Sequence, residues 1–353
     1  MMFVRAAKCI KSTRLPLAAR RAYRLAFSTS LVLAMAYGFG LGIPLLAPLF
    51  VVILSAKPSP PPGPKQLFIL LLAVMVSLGV GVILGPLLQG APLPALVLIV
   101  LGLYISNRLA LQPGKAAVGT LLALGVTVIA AASSISPTLA STLISALVAS
   151  IALAVVGQWL VYPFFPEDVV AAKAPPPPAN SSDSNWLCWR ATAIVIPAFL
   201  LTLTNPASYL PLTVKSILLG REASQLKLRE ANVEMIGSTL LGGACAIVIW
   251  GLLSLAVSLW FYAAWMLLVC LLLASGMYGV IRTGFKPSFW MGTMTTMIIL
   301  LGAAVQDSAN GKDVYQAFLV RISLFLLVAV YAAAAMAALN YWRTRRQLKS
   351  GDE

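Results

Sequence analysis

The chain has 353 residues, of which 60% are apolar and only 10% charged, less than half the charged share of a soluble domain. The net charge of +15 does not point to nucleic acid, because the basic residues sit at the ends of apolar runs and not in one patch. Apolar runs at 67–88, 138–162 and 314–340 are each long enough to cross a hydrocarbon layer of about 30 Å as helices, so the composition excludes a soluble fold and predicts an all-α polytopic membrane protein.

The chain opens on a basic lead, residues 1–23, with no acidic residue. No small-residue cleavage site follows a short apolar core, so it reads as a cytoplasmic lead ahead of the first membrane helix and not as a signal peptide. A first hydrophobic block follows over 24–162. Its six apolar segments are about 24–39, 41–56, 66–88, 94–108, 115–133 and 138–162. Residues 163–188, rich in Pro, Ser and Ala, read as a cytoplasmic tether. A second block over 189–342 gives segments at about 189–204, 207–220, 233–255, 259–281, 287–305 and 314–340, and residues 343–353 form a basic tail.

The two blocks resemble each other. RLAFSTSLVLA from Arg24 matches RATAIVIPAFL from Arg190, and Pro48 falls opposite Pro211. Tyr104, Arg108, Pro113 and the Gly119-Thr120 pair recur as Tyr278, Arg282, Pro287 and Gly292-Thr293. Shared polar punctuation at one spacing indicates two six-segment repeats, about 12 transmembrane helices in all. Lys and Arg gather on one side of the segments, whereas the opposite loops LQGAPLP, ASSISPT, TNPAS and QDSANGKD hold Lys312 as their one cation. This positive-inside pattern predicts that both termini are cytoplasmic. An even number of segments per block makes the repeats parallel, related by an axis along the membrane normal.

The first two segments of each repeat read as short or re-entrant. They join through Gly38, Gly40, Gly42 and Pro44 in one block, and through Asn205, Pro206 and Pro211 in the other. Irregular backbone at membrane depth has to be buried in protein or line a cavity, and its recurrence in two repeats points to a transport site.

Several chemistries are excluded. There is no histidine, the four cysteines show no CxxC spacing, and no GxxxxGK[ST] loop is present. The reading is a non-enzyme with no cofactor and no metal.

The candidate substrate-binding residues are the intramembrane cations Arg321 and Lys215, with Tyr209, Asn205 and Tyr37 beside the broken hairpins. Arg321 lies seven residues into its segment, about 10 Å from the outer end at helical rise. It either reaches the interface, paired with Asp313 or Asp307, or faces the space between the repeats, where its planar fork would receive a carboxylate. Lys215, opposite Val52 in the first block, likewise either reaches the headgroups beside Arg221 or adds an anion-attracting charge. Glu230 and Glu234, one helical turn apart, are a weak candidate for ion coupling, and equally a helix-start pair facing Lys227 or Arg229. Both acids lie at the cytoplasmic side, and no acid reads as lying near mid-membrane. GSTLLGGA (237–244) reads as a close helix contact of the small-xxx-small kind.

The basic lead into RLAFSTSLVLAMAYGFGLGIPLLAPLFVVIL, the duplicated block and EANVEMIGSTLLGGACAIVIWGLLS in the second half resemble the fusaric acid resistance and aromatic acid exporter superfamily. The nearest branch is the compact one of the domain-of-unknown-function 2955 type. That resemblance implies an inner-membrane efflux permease for organic, aromatic carboxylic acids, working with a periplasmic adaptor of the membrane fusion type. Its partners would be a small organic anion, membrane lipid and that adaptor, with a homo-oligomer open and no nucleic acid. The alternatives are a passive anion channel on the same fold and a non-transporting membrane subunit of an export assembly.

Overall fold

A computed structural model describes residues 15–55, 59–112, 115–168, 181–225, 228–309, 311 and 314–350. Among them there is no strand, and the helices are twelve once a π turn is counted inside its parent. They are α1 (Leu17–Gly38), α2 (Leu46–Leu54), α3 (Pro64–Gly90), α4 (Pro92–Leu111) and α5, which runs from Ala116 to Ile135 through a π turn at Gly125–Ile129. Then come α6 (Pro137–Val161), α7 (Ser181–Thr204), α8 (Pro206–Gln225), α9 (Leu228–Leu253), α10 (Leu259–Met277), α11 (Pro287–Ala309) and α12 (Val314–Ser350). Nine of the described helices, all but α1, α2 and α8, are long and apolar enough to cross a membrane.

Local chemistry sets many of the boundaries. Proline opens α3, α4, α6, α8 and α11, where its missing N–H costs nothing and its fixed φ suits the first turn. Ser258 caps α10, its Oγ accepting from the Phe261 N–H at 3.2 Å. Of the expected short segments, α2 is the clear case: nine residues rise only about 13 Å. It follows an irregular stretch in which Gly40 takes φ +64°, a conformation that side chains disfavour. Helix α1 is longer than expected and starts inside the basic lead. Helices α7 and α8, of 24 and 20 residues, are not short.

The packing is similar in the two halves, although α8 also meets α9 and α11 in the second. Helix α1 packs on α2 and α6, α2 on α6, and α3 on α4, α5 and α6, while α5 also meets α4 and α6. Helix α7 packs on α8 and α12, α8 on α12, and α9 on α10, α11 and α12, while α11 also meets α10 and α12. Between the halves α1 meets α10, α7 meets α4, α2 meets α11 and α8 meets α5. Helices α5 and α11 are the most enclosed, with 78% of their apolar windows buried against 28–50% for the other seven; they form the centre, and the rest present apolar side chains outward.

Small residues permit this density. A Cβ on Gly81 would collide with the Gly125 carbonyl, and one on Gly302 with Leu45 across the seam. The expected contact in 237–244 is present: a Cβ on Gly242 would meet the Thr293 carbonyl and Thr296 of α11. Hydrogen bonds also cross the seam. Ser30 Oγ donates to the Ala263 carbonyl at 2.6 Å, and Asn107 Nδ2 donates to Thr192 Oγ1 at 3.1 Å.

Side-chain contacts sort the helix ends into two faces. On one, Tyr278 Oη donates to the Ser55 carbonyl at 3.0 Å, Tyr104 Oη to Asn185 Oδ1 at 3.0 Å and Ser288 Oγ to Glu234 Oε2 at 2.7 Å. Here the start of α1 is clamped to the segment after α6. Arg20 reaches Asp168 at 2.6 Å, while Arg21 and Arg24 both pair with Glu167, Arg24 at 2.9 Å. Phe165 stacks on Tyr23 and Phe27. The start of the expected tether, as far as Asp168, is therefore docked, and α7 begins at Ser181 within its far end. On the opposite face Gln89 donates to the Ser134 carbonyl, and Arg321 pairs with Asp307.

Burial pushes the Glu167 carboxyl's pKa up, but hydrogen bonds from Arg21 and the charge of Arg24 outweigh it and hold the pKa below its ordinary value. A depressed folded pKa means the clamp stabilises fully above the unfolded carboxylate pKa of about 4.3 and is lost as pH falls through the lower folded value. Thermal melts in detergent should show a wild-type transition that drops below about pH 4.5. Glu167→Gln should melt lower at pH 7 and lose less on acidification; an identical acid profile in both would contradict the clamp.

Candidate functional site: an apolar hollow with an arginine on its wall

The centre of the molecule contains a hollow of about 160 Å³. Its wall comes from α2 and the stretch before it, from α5 and α6, and from α8, α11 and α12. The lining is aliphatic apart from Phe50 and three polar side chains: Thr120, Gln306 and Arg321. Two structural irregularities meet here. The short α2 supplies Leu49, Phe50 and Ile53, and Val128 comes from the buried π turn of α5, the kind of local widening that recurs at functional sites.

Arg321 therefore faces protein and not lipid. Its side chain is 17% exposed, and Nη1 donates to Oδ2 of Asp307, whose side chain is 6% exposed. Asp307 lies near the end of α11, and Gln306 beside it also lines the hollow. The contact uses one N–H of a group that carries five. The two sequence readings of Arg321 thus meet: it has Asp307 as a partner and it borders a cavity. Asp313, the other proposed partner, lies outside the described residues.

Lys215 does not reach the headgroups. It is 0% exposed, and Nζ donates to Thr296 Oγ1 on α11 at 2.5 Å. Helix α8 continues to Gln225, ten residues beyond Lys215, so this cation sits twice as far from the helix end as the apolar run suggested. It is not among the described side chains lining the hollow; its neighbours Val214, Ile217 and Leu218 are.

The remaining candidates are dispersed. Tyr37 packs edge-on against Tyr262, their ring centres 5.8 Å apart, at the α1–α10 seam. Asn205 is exposed between α7 and α8. The Tyr209 N–H donates to the Asn205 carbonyl at 3.1 Å, and the Tyr209 carbonyl accepts from Thr202 Oγ1 at 3.1 Å. None of the three lines the hollow. Glu230 belongs to α9, but its side chain lies outside the described residues, while Glu234 is buried against Ser288. Asp307 is the acid that matters and was read from sequence only as an interfacial partner. The signal available was the Gln-Asp pair closing the apolar run before it. Thr296 was missed, although the GTMTT stretch (292–296) put hydroxyls within a helix.

Among the described residues no cluster of His, Cys, Asp and Glu has metal-binding geometry. Cys188, Cys245 and Cys270 are unbridged.

Residues 21–161 match the model of a family described as Protein of unknown function (DUF2955). The match runs from α1 to the end of α6 and stops there, so it covers one of the two similarly packed halves. No curated protein and no solved structure matches the chain.

Removing one partner of a buried ion pair costs about 3–5 kcal/mol, and the residual exposure of Arg321 lowers this to about 2 kcal/mol. Arg321→Gln and Asp307→Asn should each lower stability in lipid nanodiscs by that order. The double variant should cost about 1 kcal/mol or more less than the sum; strict additivity would show that the pair is not coupled.

Proposed function

We propose that this protein is a bacterial inner-membrane permease exporting organic carboxylates, aromatic ones among them, through the hollow beside Arg321. The observation that carries the reading is an arginine on the wall of an apolar cavity of about 160 Å³. A dry cavity of about 150 Å³ in an unrelated protein holds one benzene. This one therefore suits a single aromatic ring, with a planar fork at its edge to receive the carboxylate. An intramembrane cation facing a cavity is a functional feature by default, because its position is costly anywhere else.

Further support comes from the pairing scheme. Each contact within residues 17–161 has a counterpart six helices on, and the contacts between the halves exchange in the same way. This favours two six-helix repeats related by an axis along the membrane normal, with the hollow on that axis between α2 and α8, α5 and α11, and α6 and α12. Charge breaks the correspondence: Arg321 and Lys215 both belong to the second half, and Lys215 stands opposite Val52. The basic face carries the starts of α1 and α7 and the end of α12, so both termini fall on the cytoplasmic side by the positive-inside rule. The resemblance to aromatic acid exporters supplies the direction of transport and a periplasmic membrane-fusion adaptor as partner.

Inverted vesicles or proteoliposomes loaded with labelled benzoate test it. Arg321→Leu should cut benzoate flux by about tenfold or more, the loss of one charge-assisted hydrogen-bond pair, while membrane insertion stays normal. Undiminished flux in that variant would remove Arg321 from the path, and unitary anion currents in planar bilayers would replace the permease by a channel.

A further inference from the structure

A second hollow, of about 440 Å³, opens at the basic face. Its lining is of a different kind. Arg24 from α1, Ser55 at the end of α2, Ser59 before α3, Gln66 on α3 and Gln158 on α6 supply polar groups, and Pro60–Pro62 form one side. The Arg24 side chain is 12% exposed; Nη2 lies 2.9 Å from Glu167, and the guanidinium sits 5.6 Å from the ring centre of Tyr162. The proline side is pinned by Trp159, whose Nε1 donates to the Pro62 carbonyl at 2.8 Å.

The two hollows lie end to end. On α2, Ile53 lines the central one, while Leu54 and Ser55 line the other. On α6, Leu147 lines the first and Gln158 the second, about 16 Å further along the axis at helical rise. The end of α2 borders both of them. It is held by Gln158 Nε2 donating to Ser55 Oγ at 3.3 Å and by Tyr278 Oη donating to the Ser55 carbonyl at 3.0 Å. Helix α2 is too short to span a bilayer, and the polar hollow occupies the length it leaves free.

We propose that this polar hollow is a loading site for an organic carboxylate, which pairs with Arg24 in place of Glu167. The ligand class rests on the permease reading above; the site itself rests on the geometry. Arg24 has the partner that an incoming anion would replace, and that partner belongs to a segment held on α1 by Arg20, Arg21 and the Phe165 stack. Glu167 is thus an internal competitor. It keeps Arg24 compensated when the site is empty and sets a threshold for capture. A carboxylate bound here stands next to the end of α2, one residue from the wall of the central hollow.

The test is benzoate titration by calorimetry on the full chain in phosphatidylcholine nanodiscs, where no anionic headgroup competes. It is done in an Arg321→Gln background, so that binding reports this site and not the central one. One benzoate should bind. Adding Glu167→Gln should tighten it about threefold, the scale of one partly exposed ion pair removed, and adding Arg24→Gln should weaken it about tenfold or more. A gain of affinity cannot come from misfolding, so the Glu167 arm stands even where the Arg24 variant is unstable. Absence of benzoate binding in the Arg321→Gln background, or an affinity indifferent to Glu167→Gln, overturns the loading site. Arg321-dependent benzoate flux persisting alongside that result leaves the permease reading intact; binding here without any wild-type flux does the reverse.

Discussion

A guanidinium keeps its proton under all conditions a cell offers, so Arg321 has to be compensated where it sits. Within a span of a multi-pass protein there are few ways to do that, and this chain uses Asp307 from the neighbouring helix. The pair fixes α11 against α12 at the end away from the basic face. It also places a charge on the wall of a cavity that is otherwise nearly all hydrocarbon. The rest of the centre can be understood from that arrangement. The wall helices α5 and α11 are the two most enclosed of the spans. Gly302, one turn before Gln306, lets α11 approach Leu45 closely and so closes the wall on the α2 side.

The same logic recurs at lower stakes elsewhere. Lys215 is buried completely and is met by Thr296, from the face of α11 that Gly242 also approaches. Arg20, Arg21 and Arg24 stand at the other end of the molecule, where Glu167 and Asp168 take their charge. Ten acids serve 25 cations in this chain, and those near the hollows are placed against particular cations. Scarce acids concentrate the consequences of mutation: Asp307 pairs with one arginine, and Glu167 with two.

Much of the fold was legible in the apolar runs. The boundaries of α3, α4, α6 and α11 follow from long hydrocarbon segments opened by proline, and these need no tertiary information. The misses have tertiary causes. Helix α1 starts at Leu17 and not near Arg24, because its arginines find carboxylates about 146 residues away in the chain and so need not mark a membrane boundary. Helix α8 continues past Gly220, which packs with Ala191 where a run-based reading ends the helix; Lys215 is consequently mid-helix and enclosed. The site was legible only in part. An arginine in an apolar run announces itself, but its facing direction depends on which helices flank it. The aromatic and amide residues near the hairpins looked equally suitable by composition, and packing assigns Tyr37 to a seam and Asn205 to the surface. The polar hollow behind Arg24 was not visible at all, because its lining comes from α1, α2, α3 and α6 and acquires meaning only when they meet.

The central claim, that the hollow beside Arg321 holds an organic carboxylate, is tested most directly by a thiol placed on its wall. Ala303 on α11 lines the hollow and is 3% exposed; Leu319 on α12 is 65% exposed on the outer surface of the same helix layer. In a background with the four native cysteines replaced, Ala303→Cys should react with a small methanethiosulfonate, and benzoate should slow that reaction while leaving Leu319→Cys unaffected. Labelling of Ala303→Cys that is absent, or that proceeds at the same rate with and without benzoate, would contradict the account.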